Sequence, residues 1–136
     1  MVNKNLDNVF VEDVRIIADE LSEFHDDLKG KTVLIAGGKG FLGTYFKNVL
    51  TKINETLSNP TKIIIMDSLI TSKEKNDEQN PHVEFVEQDI SQSFEIQNNV
   101  DYIIHAASIA SPPVYRKFPI KTVDVNYEGT KNLLEL

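Results

Sequence analysis

Residues 32–43 read TVLIAGGKGFLG, and the types and spacing in this segment suit it to holding phosphate. Glycines at 37, 38, 40 and 43 stand between the aliphatic run Val33-Leu34-Ile35 and an apolar-periodic stretch that opens at Phe41. A buried strand that stops in a glycine turn and resumes as a helix leaves the first N–H groups of that helix unpaired at the turn. Those groups and the helix dipole attract a phosphate or pyrophosphate. Glycine serves here because some positions need backbone angles that a Cβ forbids, and others must let the backbone approach the phosphates. The preceding strand and following helix supply the context that a bare glycine triplet lacks.

Two carboxylates extend this chemistry. Asp67 ends the run KIIIM at 62–66, where its carboxylate could accept hydrogen bonds from both hydroxyls of an adenosine ribose. A 2′-phosphate would meet a negative charge there, so NAD is expected over NADP. A solvated turn aspartate would read the same in isolation. Asp89-Ile90 follows a third short strand. The aspartate could accept from an adenine amino group while the next backbone N–H donates to the ring, and a turn or cap aspartate is equally open. His105-Ala106-Ala107-Ser108 ends a fourth strand, and its small residues would let a cofactor lie against the backbone. His105 is expected as a packed, hydrogen-bonded strand-end residue rather than an acid or base. His25 and His82 show no metal-ligand spacing with it, and no metal site is expected.

The elements that must position these groups follow from hydrophobic spacing. Val11, Val14, Ile17, Leu21, Phe24 and Leu28 recur at helical intervals, which predicts an amphipathic helix over about 9–27, capped by Asp7 or Asn8 and closed at Gly30. A strand at about 32–36, a helix at about 41–56, strands at 62–66, 83–87 and 102–105, and a final helix from about Pro119 complete the chain. TSKEKNDEQNP at 71–81 reads as a polar loop, and Ser111-Pro112-Pro113 predicts an irregular segment. Strands alternating with helices, several of them continuous apolar runs, imply a mostly parallel sheet covered on both faces. Right-handed crossovers then give a Rossmann-like, doubly wound α/β fold with strand order 3-2-1-4 and a ligand crevice between strands 1 and 4. Residues 1–30 are expected as a helical extension and 31–136 as the dinucleotide-binding domain.

The bulk numbers narrow the function classes. The chain has 136 residues, 40% hydrophobic and 26% charged, with a net charge of −7. That size suits one domain with a real core. The acidic balance argues against a nucleic-acid or anionic-membrane surface, which needs clustered Lys and Arg. There are no cysteines, so disulfides, thiolate nucleophiles and cysteine metal sites are excluded. No apolar run approaches the length of a membrane span, and the N-terminus lacks the pattern of a signal peptide; a cytoplasmic protein is expected.

Taken together, Gly37-Gly38-Lys39-Gly40-Phe41-Leu42-Gly43, Asp67, Asp89-Ile90, His105-Ala106-Ala107-Ser108 and Asn126-Tyr127-Glu128-Gly129-Thr130-Lys131-Asn132-Leu133-Leu134-Glu135 resemble the extended short-chain dehydrogenase/reductase family. More narrowly they resemble its NAD-dependent epimerase/dehydratase group acting on nucleotide sugars, over about residues 31–136. Ser111-Pro112-Pro113 with Tyr115, then Pro119-Ile120-Lys121-Thr122, looks most like UDP-glucuronate decarboxylases and their dehydratase relatives.

The resemblance implies roles for individual residues. Gly37, Gly40 and Gly43 form the pyrophosphate turn, with Phe41 and Leu42 giving backbone donors. Asp67 holds the ribose, Asp89 and Ile90 the adenine, and Ala106, Ala107 and Ser108 line the nicotinamide side. Asn126 supports the catalytic region, and Tyr115 and Arg116 sit in a substrate-facing loop. The family's chemistry also needs a Tyr-x-x-x-Lys pair on a helix after a fifth strand, where tyrosine exchanges a proton with the sugar hydroxyl and lysine lowers its pKa. Tyr127 and Lys131 have that spacing but lie within the asparagine-glycine-threonine helix, with no fifth strand before them. No catalytic residue is therefore expected in this chain, which reads as the cofactor-binding part of an enzyme truncated before its catalytic helix and inactive alone. The expected partners are a nucleotide sugar and, through an unpaired fourth-strand edge, a second copy of the chain. A non-catalytic dinucleotide-binding module or partner subunit is the reading from another class. A Tyr-x-x-x-Lys helix encoded past Leu136 would discriminate the two.

Overall fold

The computed structural model describes residues 4–71 and 79–136. Its centre is a four-stranded parallel sheet in the order β3-β2-β1-β4, formed by β1 (Thr32–Ala36), β2 (Lys62–Asp67), β3 (Val83–Glu87) and β4 (Tyr102–His105). The two central strands are buried on both faces, which is why TVLIA and KIIIM are continuous apolar runs. Side-chain alternation along a strand divides them. Leu34, Ala36, Ile64 and Met66 pack on one side with Ile90, Ile109, Val125 and Leu133. Val33, Ile35, Ile63 and Ile65 pack on the other with Leu50. The first face is covered by α5 (Pro119–Leu134), the second by α3 (Phe41–Asn54).

A further layer lies outside α3. Helix α1 (Lys4–Glu20) sets Val14 and Ala18 against Val49 and Ile53, and Phe10 meets Tyr45 edge-on at 4.7 Å between ring centroids. The single helix expected over 9–27 is instead three pieces. After α1 come a 3-10 turn (Ser22–Phe24) and the short α2 (His25–Leu28). The break sits at Leu21, and the His25 ring reaches back to the Ala18 carbonyl oxygen across it (3.0 Å). Gly30 ends the segment in the left-handed conformation, φ 68°, and donates its N–H to Asn59 O (2.9 Å).

A second difference concerns the prolines. Pro112 and Pro113 open α4 (Pro112–Lys117) rather than an irregular segment. The first helical positions need no N–H, and proline's fixed φ is already helical, so both prolines fit there. The loop expected over 71–81 falls mostly outside the described residues.

The parallel register brings the carboxyl ends of the strands to one edge. Ala36 pairs with Met66 on one side and with His105 on the other, and Asp67 pairs with Glu87. The glycine turn, Asp67, the 88–92 segment and the 106–109 segment all leave the sheet there.

Candidate functional site

At the strand ends a crevice is lined by Gly37, Gly40, Asp67, Asp89, Ile90 and Ala106, among others, with Ala107, Ser108 and Lys121 at its α5 side. Its floor is the glycine turn, whose internal bonding is nearly complete. The N–H groups of Gly37 and Gly38 donate to Met66 O (2.7 and 3.4 Å), and that of Gly40 donates to Gly37 O (3.0 Å). The Lys39 N–H donates to Asp67 Oδ2 (2.9 Å). The turn's own donors are thus spent on protein acceptors.

The next donors are not. Helix α3 has Gly40 at its N-cap with no side-chain cap, and its first intrahelical bond runs from Thr44 N–H to Gly40 O (2.9 Å). The N–H groups of Phe41, Leu42 and Gly43 have no acceptor among the described residues. Such a set of aligned, unpaired donors fits a pyrophosphate. The glycines chiefly create the geometry, and Gly43 also supplies one of the three unpaired N–H groups. Gly37 has φ 78°, and a Cβ on it would lie 2.6 Å from the Ala107 backbone. A Cβ on Gly43 would lie 2.2 Å from Gly37 O. At Gly40 a Cβ would meet only Gly37 O, at 3.2 Å, so the crevice side of the turn is open.

Asp67 does more than the sequence indicated. Besides the Lys39 N–H on Oδ2, its Oδ1 accepts the Leu69 N–H (2.9 Å), with Leu69 held at φ 55°. Each oxygen of an ionised carboxylate accepts more than one hydrogen bond, so both keep capacity for ribose hydroxyls. The carboxylate joins the end of β2 to the glycine turn and fixes its own orientation.

Asp89 is heavily engaged. Its Oδ1 accepts from the Ser91 N–H (3.0 Å) and the Ser91 hydroxyl (2.7 Å), and its Oδ2 accepts from the Lys121 ammonium. Lys121 also donates to Ser91 Oγ (2.8 Å). Burial pushes the Asp89 carboxyl up, but the bonds from Lys121 and Ser91 outweigh it and hold the pKa below the usual carboxylate value. Asp89 thus makes the contacts of a turn aspartate, one of the two roles expected for it. Ile90 is buried, and its N–H has no acceptor among the described residues.

Helix α5 grips this segment along its length. Lys121 holds Asp89, and the Asn132 amide donates to Ile90 O (2.8 Å) and Gln92 O (3.2 Å). Between them Gly129 leaves room for Ile90, whose Cδ1 would lie 2.7 Å from an added Cβ. The sequence reading did not single out Lys121, which lines the crevice, or Asn132, which holds the 88–92 segment from behind it. The available signal was the spacing of Lys121, Val125, Gly129 and Asn132, which places them along one helix face.

Other expected residues lie elsewhere. The Asn126 amide donates to Thr122 O one turn back (2.7 Å), and the residue is exposed and outside the crevice lining. Tyr115 and Arg116, on α4, are exposed and also outside it. Phe41 is 78% exposed, so its side chain faces solvent while its backbone opens the helix. His105 is not the packed, hydrogen-bonded residue expected: it is exposed, its ring makes no hydrogen bond among the described residues, and what desolvation it has lowers its pKa. Among the described residues no acidic, histidine or cysteine cluster could hold a metal, and no helix is long and apolar enough to cross a membrane.

Comparisons with known proteins agree with this geometry. The model of the NAD dependent epimerase/dehydratase family matches residues 33–136. UDP-glucuronic acid decarboxylase 1 of Danio rerio is 32% identical over 117 residues, which are 84% of this chain and 26% of that protein. The chain thus spans about a quarter of the length of this curated relative. The epimerase Mth375 of Methanothermobacter thermautotrophicus superimposes with a TM-score of 0.66 at 28% identity, over 85% of this chain and 33% of that one. WbmF of Bordetella bronchiseptica, solved in complex with NAD+, shares the fold with a TM-score of 0.63 at 24% identity, over 80% of this chain and 32% of that one.

Proposed function

The chain belongs to the NAD dependent epimerase/dehydratase family, and on that premise we propose that it binds NAD as the cofactor-holding portion of an enzyme that transiently oxidises a nucleotide sugar at C4. The observation that carries the proposal is the unspent N–H set of Phe41, Leu42 and Gly43 beside a glycine turn whose own donors are used up. WbmF, of the same fold, is a complex with NAD+, and the similarity to a UDP-glucuronic acid decarboxylase favours a UDP-sugar as the substrate of the whole protein.

In this reading the α3 N-terminus binds the diphosphate bridge, and Asp67 accepts from the adenosine ribose while excluding a 2′-phosphate by charge. Ile90 N–H donates to the adenine ring. Ala106, Ala107 and Ser108 leave room for the nicotinamide side. Bound NAD+ supplies a hydride acceptor for the sugar carbon. This chain's residues orient it; no side chain in the crevice is placed as the tyrosine–lysine pair, since Tyr127 and Lys131 lie outside its lining. Decarboxylation, dehydration and epimerisation are the branches such an oxidation opens.

Calorimetric titration of the chain with NAD+ and NADP+ tests the proposal. NAD+ should bind and NADP+ should bind more weakly; no heat with NAD+ removes the reading. The same reading includes a cytoplasmic location, which fractionation of the producing cells checks, and a homo-oligomer. The β4 strand pairs only with β1 among the described residues, and Tyr102 and Ile103 on it are exposed. That edge or α1 would form the contact. A monomeric mass by light scattering at high concentration would exclude the oligomer.

A further inference from the structure

If the crevice binds NAD, Asp89 stands where an adenine amino group would look for an acceptor, yet both of its oxygens are already engaged. Oδ1 receives two bonds from Ser91, and Oδ2 receives the Lys121 ammonium. Lys121 comes from the first turn of α5, 32 residues further along the chain, and it lines the same crevice as Gly40, Asp67 and Ile90. Both side chains are mostly withdrawn from solvent, with Lys121 28% and Asp89 25% exposed. Water therefore screens the pair less than a surface salt bridge.

On the reading that this crevice binds NAD, we propose that Lys121 sets the base selectivity of the adenine end by competing with the adenine amino group for Asp89. The Ile90 N–H is unencumbered, so the ring nitrogen can be read whatever Lys121 does. The amino group must share Oδ2 with Lys121, whose ammonium occupies one acceptor direction and draws charge from that oxygen. Lys121 is thus a positioning residue: it acts on the ligand through Asp89. The same ion pair also holds α5 to the 88–92 segment, so selectivity and packing share one contact.

The two roles separate in a ratio of affinities. NAD+ carries the amino group, and its hypoxanthine analogue, deamino-NAD+, carries a carbonyl instead. A variant that only loosens α5 weakens both dinucleotides together and leaves their ratio alone. Calorimetry on the full chain should show Lys121→Met raising the NAD+ to deamino-NAD+ affinity ratio by about tenfold, the scale of one charge-assisted hydrogen bond gained. Ser91→Ala, which frees one Oδ1 position and removes a Lys121 contact, should raise the ratio in the same direction by less. It serves in place of Lys121→Met if that variant fails to fold. Asp89→Asn should lower the ratio, because the charged acceptor is gone. A ratio unmoved in Lys121→Met or, should that chain not fold, in Ser91→Ala overturns the proposal, as does an unmoved ratio in Asp89→Asn. Failure of the unaltered chain to bind either dinucleotide would remove the cofactor reading and this inference with it. Binding with an unmoved ratio removes the inference alone.

Discussion

The two ends of the crevice are built by different means. At the glycine turn every donor is a backbone N–H and most acceptors are backbone too: Gly37 and Gly38 donate to Met66 O, Gly40 donates to Gly37 O, and only Lys39 donates to a side chain, the carboxylate that ends the neighbouring strand. At the end that the proposed function gives to adenine, the 88–92 segment is held by side chains from a helix that begins about thirty residues later, through Lys121 and Asn132. At Gly37 and Gly43 the first construction tolerates almost no added atom, because what surrounds them is backbone. The second can adjust, because what surrounds it is the ends of side chains. The turn should therefore behave as a rigid template, and the adenine end as a tunable one.

A pair of identical substitutions breaks or sharpens that contrast most strongly. Gly43→Ala would put a methyl 2.2 Å from Gly37 O and 2.6 Å from Gly38 Cα, so the turn must deform. It should lose about 1–3 kcal/mol of stability, the usual cost of overpacking, and all measurable NAD+ binding. Gly129→Ala meets the buried Ile90 side chain at Cδ1 (2.7 Å) and Cγ1 (2.8 Å), and should lose less than Gly43→Ala with binding retained, because a side chain can shift where backbone cannot. Thermal melts and calorimetry on the two variants decide it. Equal losses would mean that the two ends are equally stiff.

Asp67→Ala comes next. Its carboxylate both orients the turn and, in the proposed function, holds the ribose, so NAD+ affinity should fall by roughly 1–3 kcal/mol, the scale of hydrogen bonds to a charged acceptor. Binding of inorganic pyrophosphate should also weaken, since the Lys39 N–H loses its acceptor. If pyrophosphate binding is untouched, the turn does not depend on Asp67.

Asn132→Ala is a smaller test at the other end. Removing its amide frees the Ile90 and Gln92 carbonyls and should cost about 1 kcal/mol of stability. Hydrogen exchange should quicken at 88–92 while β1 and β2 stay protected. Uniform quickening across the sheet would contradict a locally held adenine end.

The smallest effect is on pH. The Asp89 pKa lies below its ordinary 3.8, so its contribution to stability is present above that value and lost as pH falls through the folded-state pKa. Acid should loosen α5 from the 88–92 segment, and Asp89→Asn should remove that part of the acid sensitivity. Melting temperatures of the chain and variant between about pH 2 and pH 6 measure it. Parallel curves would exclude Asp89 as a source.

Much of the fold is legible in the residues. TVLIA and KIIIM are buried on both faces, and such runs belong in the middle of a parallel sheet, so the order 3-2-1-4 and the carboxyl-end crevice follow from patterning and the handedness of crossovers. Gly37 needs its left-handed angle and Gly43 its missing Cβ for reasons local to the turn, and both can be read there. The α1 break at Leu21 is not legible, because the apolar spacing continues through it. The prolines at 112 and 113 mislead for a related reason: a proline marks a helix start and a helix stop alike, and its neighbours do not say which. Resemblance gives Asn126 a supporting role for the catalytic region, and in this structure its amide bonds its own helix at Thr122 O.

The amino-acid sequence by itself thus determined the alternation of strands and helices, the glycine turn between them, and the carboxylates that stand near it, since each depends on spacing within a few residues. Only the tertiary structure decided which of those carboxylates are already engaged. Periodicity shows that Lys121 and Asn132 share a face of α5, but their meeting with Asp89 and Ile90 depends on how that helix docks on the sheet, a long-range packing result that no local pattern encodes.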